Sequence, residues 1–141
     1  VPVNQYVVFE IEDREFAVDI ERVKTIEKVT EITRVPGTQD FVMGVINLRG
    51  DVIPVIDTRK RMDLGDRDFD SESRIIIMNV DDMEAGITAD SATEVIGIER
   101  DLIDSNLDFS GDRDDGFIKG VARLQERIIV ILDLEKLLRL A

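Results

Sequence analysis

The sequence predicts an all-β fold of two small barrels lying side by side, and three observations carry that reading. Short runs rich in Val, Ile and Phe recur at roughly ten-residue intervals between Gly, Asp and Pro, the spacing of strands in a barrel or sandwich. The second half of the chain repeats the first. Helical periodicity is confined to short pieces.

Five strands are expected in each half. In the first they are Tyr6–Ile11, Phe16–Ile20, Lys24–Val29, Gly44–Leu48 and Val52–Asp57, with Asp13-Arg14 as a tight turn between the first pair. In the second they are Arg74–Val80, Glu84–Ala89, Thr93–Ile98, Gly120–Leu124 and Arg127–Leu132. Between Thr25 and Val35 the apolar residues Ile26, Val29, Ile32 and Val35 recur at every third position, which suits neither a strand nor a helix throughout. A strand, a break near Thr30 and a second extended piece ending at Pro36 are expected there. The helical pieces are Ile20–Lys24, a turn near Gln39, Thr58–Met62 and the C-terminal Glu135–Leu140. The last is the clearest, because Asp133 stands at an N-cap and Leu134, Leu137, Leu138 and Ala141 fall on one helical face.

The repeat is explicit. Phe41–Met62 aligns with Phe117–Leu138 at a constant offset of 76 residues, with Phe41/Phe117, Gly44/Gly120, Val45/Val121, Leu48/Leu124, Ile53/Ile129, Asp57/Asp133 and Lys60/Lys136 identical. Upstream, Ile11–Val18 aligns with Val80–Ile87 at an offset of 69, with Asp13/Asp82 and Glu15/Glu84 identical. A repeated five-strand unit implies one domain of two barrel subdomains, approximately 1–65 and 66–141, with strand exchange between them left open. Residues present in both copies serve the fold. Gly44 and Gly120 therefore read as structural, marking a bulge or a close backbone approach. Pro54 interrupts a good strand and, lacking an N–H, points to an edge position, a limit its counterpart Val130 does not carry. Residues found in one copy are candidates for function: Arg49-Gly50-Asp51 is replaced by Gln125-Glu126-Arg127, and Asn47 by Arg123.

Composition removes several functions. The 18 basic and 31 acidic residues give a net charge of −13, which repels nucleic acid and anionic lipid and reads as a solvated surface or one that meets a basic partner. No Cys is present, which excludes disulfides and thiolate chemistry and is compatible with a reducing cytoplasm. No apolar run approaches the roughly 18 residues of a membrane span. With no His, the commonest general base and metal ligand are missing, and no glycine spacing forms a phosphate-binding loop. Asp66, Asp68 and Asp70 alternate like calcium ligands, but Ser71 and Ile77 stand where such a loop needs Gly and Glu. Asp112, Asp114 and Asp115, between Gly111 and Gly116, read as a solvated turn more than as a weak calcium site. No cofactor is expected.

The segment from Phe41 to Asp57, FVMGVINLRGDVIPVID, resembles the CheW chemotaxis coupling family, whose pattern here is close to GVxNLRGxIxPVxDL; Thr58 departs from the usual Leu. Tyr6–Phe9, Phe16–Ile20 and Val23 fit the family's first strands, Ala85–Asp90 stands where GLxVDxV is usual, and Phe117–Val121 through Asp133–Leu138 fits its end. The resemblance implies two five-stranded SH3-like barrels without catalytic activity. It also implies a cytoplasmic adaptor, recruited to membrane-bound arrays, that bridges chemoreceptor cytoplasmic tips and the regulatory domain of the chemotaxis histidine kinase. On that reading Asn47, Arg49 and Gly50, with Val23, Thr25 and Ile26 on an adjoining strand, form a receptor-binding groove; the plainer alternative is that Arg49-Gly50 only makes a hairpin turn. The main rival is a detached regulatory module of a histidine kinase or of a receiver-fused coupling protein. A small β-barrel hydrolase using paired carboxylates is the rival from another class, and the missing His and Cys argue against it.

Overall fold

The structure, a computed structural model, describes residues 2–105 and 116–139. The first half contains β1 (Val3–Ile11), β2 (Arg14–Asp19), β3 (Val23–Lys28), β4 (Val42–Leu48), β5 (Asp51–Ile56) and a one-turn helix α1 (Thr58–Arg61). The second contains β6 (Arg74–Val80), β7 (Met83–Ala89), β8 (Ser91–Glu99), a two-residue β9 (Ile103–Asp104), β10 (Ile118–Leu124), β11 (Arg127–Leu132) and α2 (Leu134–Leu137).

These strands form a six-stranded sheet in the order β8-β1-β2-β11-β10-β9 and a five-stranded sheet in the order β3-β6-β7-β5-β4. Each sheet takes strands from both halves of the chain: the β1–β2 hairpin joins β8–β11, and the β6–β7 hairpin joins β3–β5. Both sheets curl until their ends meet. After β3, Thr33 donates its N–H to Val45 O and accepts from Val45 N, each at 2.8 Å, which ties the chain to the far strand β4. Beyond β8, β9 pairs with Val121 and Ala122 of β10 in the same way. The result is two small SH3-like barrels.

Register confirms the duplication. The parallel pair Ile131↔Ala17 in one sheet stands where Val55↔Gly86 stands in the other. Both repeats break register at the shared glycine, between Val42 and Gly44 and between Ile118 and Gly120. Asp57 and Asp133 each accept from the backbone N–H of the lysine three residues on, at 3.2 Å, and so cap α1 and α2.

Alternation along the strands builds three apolar clusters. Ile46, Ile53, Val55, Ile75 and Ile77 fill one barrel. Tyr6, Val8, Ala17, Ile98, Ala122, Ile129 and Ile131 fill the other. The opposite faces of the same strands make the largest cluster, where Phe9, Phe16, Ile56, Ile76, Met78 and Ile87 pack with Leu134, Leu137 and Leu138 of the α2 segment. β1, β2, β6 and β7 are therefore buried on both faces, which is why they read as nearly continuous apolar runs.

Three expectations need correction. The β1–β2 turn is Glu12-Asp13, not Asp13-Arg14: both have positive φ, 54° and 62°, and Arg14 already pairs with Ile11. Helix α2 spans Leu134–Leu137, and the expected Leu140 and Ala141 lie outside the described residues. Pro54 is not on an edge strand, because β5 lies between β7 and β4. Its neighbour across β4, Val45, directs both backbone polar groups to Thr33, so the nitrogen of Pro54 faces β7. Pairing with β7 starts only at Val55, whereas the other repeat begins two residues earlier, at Ile129↔Glu15. The missing N–H shortens a central ladder rather than marking an outer edge.

Candidate interaction site

The β4–β5 hairpin carries Arg49 and Gly50 as its two central residues, with φ of 52° and 89°. Two positive angles define the turn that matches strand twist, and Gly50 adopts its angle without strain. Asn47 Oδ1 accepts from Gly50 N at 3.1 Å and stiffens the loop. Arg49 thus serves the turn through its backbone while its side chain, 76% exposed, points to solvent. Its guanidinium reaches Glu27 on β3, Nη2 to Oε1 3.9 Å, and Thr25 Oγ1 donates to the same oxygen at 3.4 Å.

The six expected site residues fall into two adjoining groups. Thr25 and Glu27 lie opposite Ile77 and Ile75, which face the barrel interior, so this pair sits at the barrel mouth beside Arg49. Val23 and Ile26 lie opposite Met78 and Ile76, which face the seam between the barrels. Val23 packs against that seam, and Ile26 remains 39% exposed. One strand therefore presents polar residues to the Arg49 end and apolar residues to the seam.

At the corresponding end of the other barrel an arginine is held by two carboxylates. Arg127 donates to Glu15 through Nη2 at 2.6 Å and Nε at 3.1 Å, and also to Glu94. These hydrogen bonds raise its pKa further above the usual arginine value. Arg49 thus meets one carboxylate at long range, whereas Arg127 is held closely by two, and Arg123, the counterpart of Asn47, is exposed near it.

Two arginines that the sequence reading passed over organise the molecule. Arg59 is 6% exposed and forks onto Asp90, Nε to Oδ1 3.1 Å and Nη2 to Oδ2 2.6 Å, with Nη1 2.7 Å from Glu12. The Asp90 carboxyl is raised by burial, but hydrogen bonds from Arg59 and the Glu12 N–H, with the charges of Arg59 and Arg67, hold it below the usual carboxylate value. Arg61 lies over the rings of Phe41 and Phe117, at 4.0 and 4.9 Å, and donates to the carbonyls of Lys136, Leu137 and Arg139, each at 3.0 Å. It joins the two repeats at a pair of equivalent phenylalanines. The available signal was mismatch: Arg59 aligns with Glu135 and Arg61 with Leu137 inside an otherwise matching block.

In the acidic run Asp66–Asp70, Asp70 is used internally. Asp70 accepts from the Glu72 N–H at 2.8 Å and pairs with Arg67 at 2.9 Å. The first hydrogen bond is the main reason its carboxyl is depressed. Asp112, Asp114 and Asp115 lie outside the described residues. Among the described residues no helix is long and apolar enough to cross a membrane.

Two equivalent barrels with unlike ends, joined over an apolar seam, define a double SH3-like barrel protein that presents surfaces. A family model described as CheW-like domain matches residues 5–141. The chain is 38% identical to Chemotaxis protein CheW of Bacillus subtilis strain 168 over 92% of this chain and 83% of that protein. It is 32% identical to Chemotaxis protein CheW of Thermotoga maritima over 92% of this chain and 84% of that protein. Among solved structures it is similar to the scaffolding protein TtCheW of Thermoanaerobacter tengcongensis, with a TM-score of 0.88 and 34% identity, covering 99% of this chain and 90% of that one. The chain belongs to the CheW-like family, whose matched members here bear the names of chemotaxis and scaffolding proteins.

Proposed function

We propose that this protein is a non-catalytic chemotaxis scaffold that couples the cytoplasmic tips of chemoreceptors to the regulatory domain of the chemotaxis histidine kinase, and so supports receptor arrays. The observation that carries the reading is the difference between equivalent hairpins of a duplicated fold within a CheW-like chain: Arg49 stands exposed at one tip, where the other repeat has Gln125 and the nearby Arg127 is held by Glu15 and Glu94. A receptor helical hairpin meets Arg49 and Asn47 as polar anchors, with Val23 and Ile26 supplying apolar contact along β3 and Thr25 lying between these groups. The kinase domain takes a barrel end. Such contacts are of the transient kind that bury modest areas.

The test is a titration against a receptor cytoplasmic fragment and, separately, the kinase regulatory domain, with Arg49→Ala run beside the parent protein. Binding to both partners, with the variant weakened only toward the receptor, is the expected result. Binding to neither partner overturns the assignment.

A further inference from the structure

The duplication allows the outer face of β3 to be compared with its counterpart. The exposed side chains of β3 alternate as Lys24, Ile26 and Lys28. Lys24 is the unpaired residue of a bulge, since Val23 pairs with Met78 and Thr25 with Ile77. Ile26 lies opposite Ile76 and Lys28 opposite Arg74, so a third cation stands on the same face as the exposed aliphatic. An offset of 69 residues puts Thr93, Val95 and Gly97 at the equivalent places on β8, with Thr93 unpaired in the same way, and puts Gln5 and Val7 at those of Arg74 and Ile76. Ile26 and Val95 are both exposed, 39% and 52%, so the two strips share an aliphatic centre. One surrounds it with Lys24, Lys28 and Arg74, and the other with no cation at all.

We propose that the β3 strip selects an acidic amphipathic helix: the receptor segment that docks there carries carboxylates on either side of an apolar residue, and Lys24, Lys28 and Arg74 recognise them. This rests on the receptor-binding reading above and specifies the chemistry of its partner. The charges are free to act. Lys28 and Arg74 have no carboxylate partner among the described residues, and Arg74 donates to the carbonyls of Ser71 and Ser73 at 2.9 and 2.8 Å. Lys24 meets Glu84 of β7 at 2.5 Å, with side chains 46% and 27% exposed. A pair so open to water is weak, and an ammonium has three donors, so an incoming carboxylate can share it. The strand's own carboxylate, Glu27, faces the barrel mouth, where Thr25 and Arg49 attend it.

Strand geometry sets the spacing of the partner's charges. From Lys24 to Lys28 the strand advances about 13 Å, at roughly 3.3 Å per residue. A helix lying along it covers that distance in roughly eight residues at about 1.5 Å each. Its carboxylates therefore stand two turns apart, and the apolar residue that meets Ile26 lies one turn from each. At a net charge of −13 the surface as a whole repels such a helix, so the cationic strip attracts what the neutral strip on β8 does not.

The experiment is a calorimetric titration of the whole chain with a chemoreceptor cytoplasmic fragment at about 50 and about 300 mM salt, where the screening length is roughly 14 and 6 Å. At the lower salt Lys28→Gln should weaken binding about threefold and the double variant Lys24→Gln with Lys28→Gln about tenfold; at the higher salt both losses should shrink below about twofold. Both side chains are exposed, so the variants should keep the parent's unfolding midpoint in urea. Lys119→Gln, which removes the same charge from an exposed position on the other barrel, should bind like the parent. Lys28→Glu should regain affinity for a fragment whose contacting carboxylate is changed to lysine. Unchanged affinity in the double variant, an equal loss in Lys119→Gln, or losses that persist at the higher salt overturn the inference and leave the receptor reading standing. A parent chain that does not bind the fragment overturns the receptor reading and this inference with it.

Discussion

Gly44 and Gly120 are identical in sequence and equivalent in the fold, yet replacing each with alanine should have unequal cost. At Gly44 φ is +149°, and a Cβ would lie 2.1 Å from the carbonyl oxygen of Thr33 and 2.7 Å from its carbon. Those atoms are backbone, so relief requires moving the segment whose two 2.8 Å bonds to Val45 close the barrel. Losing both costs about 2 kcal/mol, and the unfavourable φ adds about 1, for a total near 3 kcal/mol. At Gly120 the nearest atom is Ile103 Cγ2 at 2.8 Å, with Asp104 O at 3.2 Å. A side-chain methyl can give way, and the cost should be about 1 kcal/mol. Urea unfolding of Gly44→Ala and Gly120→Ala beside the parent measures both. The midpoints should separate at unchanged slope, and thermal midpoints should fall by roughly 2–4 °C per kcal/mol. Equal losses in the two variants, or a Gly44→Ala chain within about 1 kcal/mol of the parent, would refute the argument that backbone contact decides the cost.

The Arg59–Asp90 fork should be the most sensitive charged contact: Arg59→Met should cost about 3 kcal/mol in urea unfolding, because it leaves the partly buried Asp90 without its main partner. Because the Asp90 carboxyl is depressed in the folded state, its stabilisation is present above the unfolded carboxylate value, about pH 4, and is lost as acidity carries the folded protein through the lower one. Acid unfolding followed by circular dichroism should therefore show a shallower loss below that pH in Arg59→Met than in the parent. Arg61→Ala removes two ring contacts and three carbonyl bonds, and should lower stability by about 2 kcal/mol with faster amide exchange in the α2 segment. Arg49→Ala and Ile26→Asp should leave unfolding midpoints within about 0.5 kcal/mol of the parent and weaken receptor-fragment binding about tenfold by calorimetry.

Strand positions were legible because local chemistry determines them. β6 and β11 have the expected bounds, and the remaining expected strands are displaced by three residues or fewer at an end. The repeat was legible for a similar reason, as its identical residues are the glycine of the bulge, the aspartate of the helix cap and the apolar residues between them. What the sequence did not disclose depends on pairing across long separations. The joining of β1–β2 with β8–β11, and of β6–β7 with β3–β5, follows from packing. Pro54 misled because a missing donor is harmless wherever a ladder has yet to start, and only the register with β7 reveals that place. Arg59 and Arg61 were overlooked since charged residues in short helical pieces usually face solvent; their burial depends on Asp90, Phe41 and Phe117 from distant parts of the chain.

A duplicated fold with equal surfaces would offer one partner two equivalent sites, and the differences between the repeats prevent that. Arg49 stands at one hairpin tip where the other repeat has Gln125, and Arg127 beside that second tip is held by Glu15 and Glu94. Each change exploits a position where the framework tolerates substitution, at hairpin tips and the first turn of a short helix, and leaves the shared glycines and caps intact. The net charge of −13 acts with these local differences, since it discourages anionic partners over the surface as a whole. Restoring symmetry at the hairpin tip, by Arg49→Gln, should therefore weaken binding of a receptor fragment without disturbing binding of the kinase regulatory domain, which titrations against the two partners would show directly.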